Sequence, residues 1–262
     1  MTDFHVHIGQ FGNVYYYADR VFAALKAGGV DEAWFSSTTS CVYCKESAAV
    51  QGDESLCERA PSARELYESV RAEMQGAMDA ALGVGIKARP LYWVVPDIHF
   101  SKTACVSVER AMSDFMYDGF KLHPRAQNWN LLDGRISLLA QEVFSYAERF
   151  GKLVLIHCDE DFPPTFFEPL IESHPKALVQ LAHSRPVDKT LYMLGVYRNV
   201  VCDTAMARRD IVERLRSEFA ERVRFGSDFP TSHFRARSPH ADPSEEELTE
   251  FTALSRRTRA GW

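Results

Sequence analysis

The stretch LVLIHCDEDFPPTFFEPLIESHPKALVQLAHSRPVDKTLYMLGVYRNVVCD, residues 153–203, decides the fold. It opens on a short apolar run, Leu153–His157, and passes through helix-like spacing at Thr165–Ser173. A second run follows at Leu178–His183, a second amphipathic segment at Asp188–Gly195, and a third run at Val200–Asp203. Short apolar runs rich in β-branched residues and bounded by turn residues read as strands. Apolar residues spaced by three and four read as helices. Strand, helix, strand in strict succession requires crossover connections, and these build a parallel sheet.

The same rhythm extends in both directions. Strands are expected at Phe4–Ile8, Ala33–Ser36, Lys87–Val95, Gly119–His123 and Val223–Asp228. Helices are expected at Tyr17–Ala27, Ala63–Leu82, Val106–Met116, Ile136–Phe150, Asp210–Phe219 and Ser244–Arg257. Gly28-Gly29 and Gly151 stand where two of these helices should stop. Eight strands and eight helices in 262 residues is the size of a (β/α)8 TIM barrel of the α/β class. One domain over residues 1–262 is the expectation. An open doubly wound sheet would place a G-x-G-x-x-G turn after the first strand, and HVHIGQFGNV matches that poorly. The rhythm breaks once, in the polar stretch Ser36–Pro61. As a loop after the second strand it would lie at the C-terminal face of a barrel, where active sites are built.

Composition narrows the function class. Hydrophobic residues make up 46% and charged residues 25%, which excludes a disordered or fibrous chain. The net charge of −6 disfavours a dedicated nucleic-acid binder. No apolar run approaches the roughly 18 residues that span a bilayer, and MTDFHVHIGQF lacks the basic and apolar regions of a signal peptide. A cytoplasmic protein acting on a small molecule, without nucleic acid or membrane, is expected; association with further copies is left open. Six cysteines are too sparse for a disulfide scaffold and are expected reduced. Cys41, Cys44 and Cys57 lie in the polar stretch with no fourth ligand for a structural zinc, so they read as incidental to a specificity loop.

Chemistry concentrates at the strand ends. His5 and His7 stand at i and i+2, which puts both imidazoles on one face of a strand. His157, His183 and Asp228 close three further strands, and in a parallel barrel all these ends meet at one rim. A lone histidine there is more often a hydrogen-bonded core or surface residue. Four histidines and a carboxylate converging on one rim suit Zn²⁺ or a related divalent cation, with Mn, Fe and Co fitting the same donors. Such a cation lowers the pKa of water from 15.7 toward about 7.

The set DFHVHIG, VLIHCD, LAHS and GSDFP, in this order, resembles the amidohydrolase superfamily over essentially the whole chain. GFKLHP at Gly119–Pro124 resembles its amidohydrolase-related branch, which includes aminocarboxymuconate semialdehyde decarboxylase-like enzymes and lactonases. The resemblance implies that His5, His7, His157 and Asp228 bind one metal. It implies that Asp228 and His183 handle protons, His183 becoming a ligand of a second metal in binuclear members. Binuclear relatives carry a carbamylated Lys or a Glu on the fourth strand, where this chain has Lys121; the plainer reading is a Lys that pairs with a carboxylate or a substrate anion. Lys121, His123, Arg125 and Arg185 are the expected substrate-binding residues, the arginines suited to an anionic substrate. Asp97 and His99 are weaker pocket candidates. His174, His233 and His240 read as surface residues.

The leading expectation is therefore a metal-dependent hydrolase that activates water against an amide, ester or lactone. The alternative is a non-oxidative decarboxylase of a carboxylated aromatic or muconate-like substrate at the same site. A TatD-like deoxyribonuclease ranks below both, because that group carries Glu where this chain has Lys121.

Overall fold

A computed structural model describes residues 1–11, 14–42 and 61–231. Among these residues nine strands form one sheet: β1 (Thr2–Phe11), β2 (Val14–Tyr16), β3 (Glu32–Ser37), β4 (Lys87–Trp93), β5 (Gly119–Leu122), β6 (Leu153–Ile156), β7 (Leu178–Leu181), β8 (Val200–Asp203) and β9 (Val223–Arg224). Their spatial order is β2-β1-β3-β4-β5-β6-β7-β8-β9, and every pair except β1–β2 is parallel. Backbone hydrogen bonds from the chain after β9 close the sheet onto β1. Phe4 N donates to Phe225 O, Asp228 N to His5 O and His7 N to Phe229 O, at 2.8–2.9 Å, and Val6 bridges Phe229 in parallel. Eight parallel strands thus make the expected (β/α)8 barrel.

The intervening helices are α1 (Ala18–Ala27), α2 (Thr39–Val42), α3 (Ala63–Gly83), α4 (Pro96–Phe100), α5 (Val108–Phe115), α6 (Gly134–Phe150), α7 (Glu168–Ser173), α8 (Val187–Val196) and α9 (Arg209–Phe219). Local chemistry starts and stops them. Ser62 caps α3 through a reciprocal capping box with Glu65, Asp133 caps α6, and α6 ends at Gly151 in the left-handed conformation. Among the described residues no helix is long and apolar enough to cross a membrane.

Two departures from the expected elements follow from local chemistry. The first strand runs on to Phe11 and turns into the antiparallel strand β2, a hairpin hidden by the Gly and Asn of GQFGNV. His123, His157, His183 and Asp228, expected as the last residues of strands, all lie beyond the strand ends, His183 in a 3-10 turn (Ala182–Ser184) and the others in loops. The helix expected at Ser244–Arg257 lies outside the described residues, as do His233, His240, Cys44, Cys57 and most of the Ser36–Pro61 stretch.

The main core lies between the barrel and its helices and includes the fully buried Phe22, Phe35, Phe120 and Phe144. Inside the barrel the register stacks side chains in layers. Leu91, Gly119, Leu153 and Leu178 align across β4–β7, and the next layer toward the C-terminal rim holds Trp93, Lys121, Leu155 and Gln180. Gly119 is required by its layer. A Cβ there would stand 2.4 Å from the Leu153 carbonyl oxygen and 2.9 Å from Leu91 Cδ2. Lys121 is therefore a barrel-interior residue, 1% exposed, rather than a rim residue.

Candidate metal centre

Above the layer of Lys121, the strand ends deliver the expected residues to one place. His5 and His7 are both buried, with ring centroids 5.0 Å apart. Asp228 Oδ1 lies 3.1 Å from His7 Nε2 and 3.6 Å from His5 Nε2. One ligand atom from each of these three residues falls within 4.8 Å of the others. His157 and His183 form a second group, with His183 Nε2 3.0 Å from His157 Nδ1. The His5 and His183 rings, 5.1 Å apart, join the groups. Lys121 Nζ donates to His5 Nε2 at 2.9 Å.

The backbone contributes through unusual conformations. His183 and Asp228 have φ values of 67° and 55°, in the left-handed region that non-glycine residues seldom adopt. Such positions persist where surrounding contacts fix them, and they concentrate at functional sites. Here Asp203 Oδ1 accepts from His183 N, and the β1 carbonyl of His5 accepts from Asp228 N.

The outward-facing imidazole nitrogens show which inner nitrogens are bare. His5 Nδ1 lies 3.1 Å from Asp203 Oδ2, His157 Nε2 3.1 Å from Asp159 Oδ2, and His183 Nδ1 3.3 Å from Ala205 O. A carboxylate or carbonyl only accepts, so these three nitrogens carry the proton. His5 Nε2, His157 Nδ1 and His183 Nε2 are then unprotonated, the first of them accepting from Lys121 Nζ. His157 Nδ1 and His183 Nε2 consequently face each other as two acceptors at 3.0 Å, an arrangement that a cation between or beside them relieves. His7 Nδ1 meets the Ser36 hydroxyl at 3.1 Å. That hydroxyl donates or accepts, so His7 can surrender its Nε2 proton without stranding Nδ1.

Electrostatics agrees with this arrangement. Burial lowers His7 to about 4 and His183 to about 3, and drives His123 and His157 well below the ordinary histidine value. These imidazoles are neutral at pH 7. Burial alone would raise Asp228, but the His7 hydrogen bond and the neighbouring imidazoles hold it well below the usual carboxylate range. Bare imidazole nitrogens, an ionised carboxylate and outer partners that fix each ring are what a borderline divalent cation needs. The donor set fits such a cation.

The remaining expected residues divide. His123 stacks between Trp93 and His157, with centroids at 5.5 and 3.8 Å, and its Nδ1 accepts from Ala126 N. Arg125 is engaged: Nε donates to Asp159 and Nη2 to Asp161, both at 2.6 Å. Arg185 uses Nε on the Cys158 carbonyl at 3.3 Å and is half-buried beside His157, whose pKa its charge helps lower. His99 is spent on structure. Its Nδ1 donates to Val106 O at 2.7 Å and its Nε2 accepts from Tyr92 Oη at 3.1 Å. Asp97 is exposed on α4. His174 is likewise committed, to Leu170 O and Ser145 Oγ. Cys105, Cys158 and Cys202 are free thiols.

Sequence reasoning passed over Asp203, Asp159, Ser36 and Gln180, which touch the histidines or each other. A signal existed for two of them: Asp203 ends the strand VVCD at the same rim, and Asp159 stands two residues beyond His157.

A closed parallel barrel with four histidines and an aspartate at its C-terminal rim defines the class of protein. The chain belongs to the amidohydrolase family, a family of enzymes, whose model matches residues 46–261. His157, His183 and Asp228 fall inside the matched range, and His5 and His7 precede it. None of the curated proteins matches this sequence. Among solved structures, the aminoacrylate-bound form of tryptophan synthase from M. tuberculosis is 13% identical, covering 99% of this chain and 93% of its own, with a TM-score of 0.50. That likeness is one of fold alone. A mutant organophosphorus hydrolase from Deinococcus radiodurans is also 13% identical, covering 86% and 75%, with a TM-score of 0.48. An adenine deaminase from Arthrobacter aurescens is 15% identical, covering 90% and 79%, at 0.38. Neither of the last two adds to the argument.

Proposed function

We propose that this chain is a metal-dependent hydrolase acting on an amide, ester or lactone of a small anionic molecule. The observation that carries the reading is the set of unprotonated nitrogens on His5, His157 and His183 beside the ionised Asp228. His5, His7 and Asp228 would hold one divalent cation, Zn²⁺ in the first instance. His157, the fourth donor, stands across from His183. A cation bound there supplies Lewis acidity, polarising a carbonyl and acidifying water.

The chain's own residues do the rest. Asp228, kept ionised at neutral pH, accepts a proton at a carboxylate oxygen not committed to the cation. His183, neutral and buried, is the second proton carrier. Arg185 offers its terminal guanidinium nitrogens to a substrate carboxylate. Arg125, held by Asp159 and Asp161, fixes the loop carrying His157. In this reading residues 1–262 are one catalytic domain, working in the cytoplasm on a small molecule without nucleic acid or membrane.

A decarboxylase of the aminocarboxymuconate semialdehyde type would use the same residues. The buried Lys121, 2.9 Å from His5 Nε2, favours it, because a cation at that depth can receive a carboxylate that is to be lost. Purified enzyme loaded with Zn²⁺, Mn²⁺ or Co²⁺ should be offered lactones and carboxylated aromatics, with acid release and CO₂ release followed in parallel. The hydrolase reading expects metal-dependent acid release without CO₂. CO₂ release without water uptake would overturn it in favour of the decarboxylase.

A further inference from the structure

Asp203 sits at the end of β8, fully buried. Its carboxylate accepts four hydrogen bonds. Oδ1 takes the backbone N–H of His183 at 2.9 Å and of Ala205 at 3.1 Å. Oδ2 takes His5 Nδ1–H at 3.1 Å and Gln180 Nε2–H at 2.9 Å. Gln180 is itself oriented, since its Nε2 also donates to Phe4 O and its Oε1 accepts from Arg224 Nη1. The packing leaves no slack: a Cβ at Gly226 would stand 3.0 Å from both Asp203 Cβ and His5 Cβ.

We infer that Asp203 is a positioning residue that locks His5 in the Nδ1–H tautomer and so presents Nε2 to the cation. The inference rests on the metal reading above. Asparagine cannot replace this function, although it has nearly the same shape. An amide NH₂ placed on the Oδ1 side would confront two backbone N–H groups, which cannot reverse. The asparagine of an Asp203→Asn variant must therefore turn its oxygen to those two amides and its NH₂ to His5 and the Gln180 amide, whose own NH₂ then loses this acceptor. Nδ1 of His5 is then pressed to become an acceptor and its ring proton to move to Nε2, against the Lys121 ammonium that donates there, and the lone pair meant for the cation is lost. A mutated partner of this kind typically weakens metal affinity about 10–100-fold.

The test is Asp203→Asn with two readouts other than turnover. Nitrogen-15 shifts of the His5 ring in metal-free protein at pH 7 report the tautomer. Chelator competition for Zn²⁺, with Co²⁺ titration followed by visible absorbance, reports affinity. The expected result is an Nδ1–H tautomer in the wild type, an Nε2–H tautomer in the variant, and affinity weaker by about 10–100-fold at unchanged far-ultraviolet circular dichroism. An Nε2–H tautomer in the wild type overturns the inference, and that measurement stands even if the variant fails to fold. So does a folded variant that binds Zn²⁺ as tightly as the wild type. A wild type with the Nδ1–H tautomer that takes up no cation overturns the metal reading and, with it, the use assigned to the lock.

Discussion

Protonating His99 should destabilise the barrel. The ring bridges β4 and the loop before α5, with both nitrogens used in the neutral form. Burial lowers its pKa from 6.5 to about 4. Between these values the unfolded chain binds a proton and the folded chain does not, so stability falls as pH drops through this window. At pH 7 the penalty is close to zero. At pH 5 the linkage relation with these two pKa values gives about 2 kcal/mol, approaching about 3 kcal/mol at pH 4. Stability totals of about 5–15 kcal/mol make such a loss easy to measure. The perturbation is His99→Gln, which cannot titrate. Urea unfolding at pH 7 and pH 5, in saturating Zn²⁺ so that the other buried histidines stay liganded, gives the difference between the two proteins at each pH. The variant should be less stable at pH 7, through lost hydrogen bonds, and the gap should shrink by about 2 kcal/mol at pH 5. A gap that stays constant between the two pH values would refute the reasoning.

Three other outcomes follow from the same structure. Gly119→Ala forces a methyl group onto the Leu153 carbonyl oxygen, and should lower stability in urea by about 1–3 kcal/mol or more; a change under about 0.5 kcal/mol, the range of neutral surface substitutions, would contradict the layer packing. Arg185→Gln should raise KM for a carboxylate substrate about 10–100-fold while kcat changes little, the pattern of lost uniform binding; a fall in kcat at constant KM would place Arg185 elsewhere in the mechanism. Bicarbonate during reconstitution tests Lys121: carbamylation would raise metal content from one equivalent to two and add about 44 Da in native mass spectrometry, whereas an ammonium Lys121 leaves both unchanged.

The barrel was legible because its signals are local and repeated. Each strand of residues 153–203 is a short apolar run, and each is followed by an amphipathic segment with its own stop. The β1–β2 hairpin was not legible, because GQFGNV reads equally well as a loop. The site was legible in part. Histidines after apolar runs point to the rim of a parallel barrel, and His5, His7, His157, His183 and Asp228 do gather there. Their partners were not legible, since Asp203 reaches His5 across 198 positions of sequence. No spacing rule announces a contact made only when the barrel closes. Lys121 and Arg125 show the same limit. Both are cations in the motif GFKLHPR, yet one lies in the barrel interior against His5 and the other is clasped by two aspartates. The alternation of strand and loop geometry, rather than residue type, separates them.

The central claim is that the strand-end histidines hold a metal. Elemental analysis of protein purified without chelator, with His5→Ala purified beside it, tests this most directly. The account predicts about one equivalent of a divalent metal in the wild type and its loss in a variant that remains folded. A folded wild type that retains no metal after reconstitution with Zn²⁺, Mn²⁺, Fe²⁺ or Co²⁺ would contradict it and leave these histidines as structural residues.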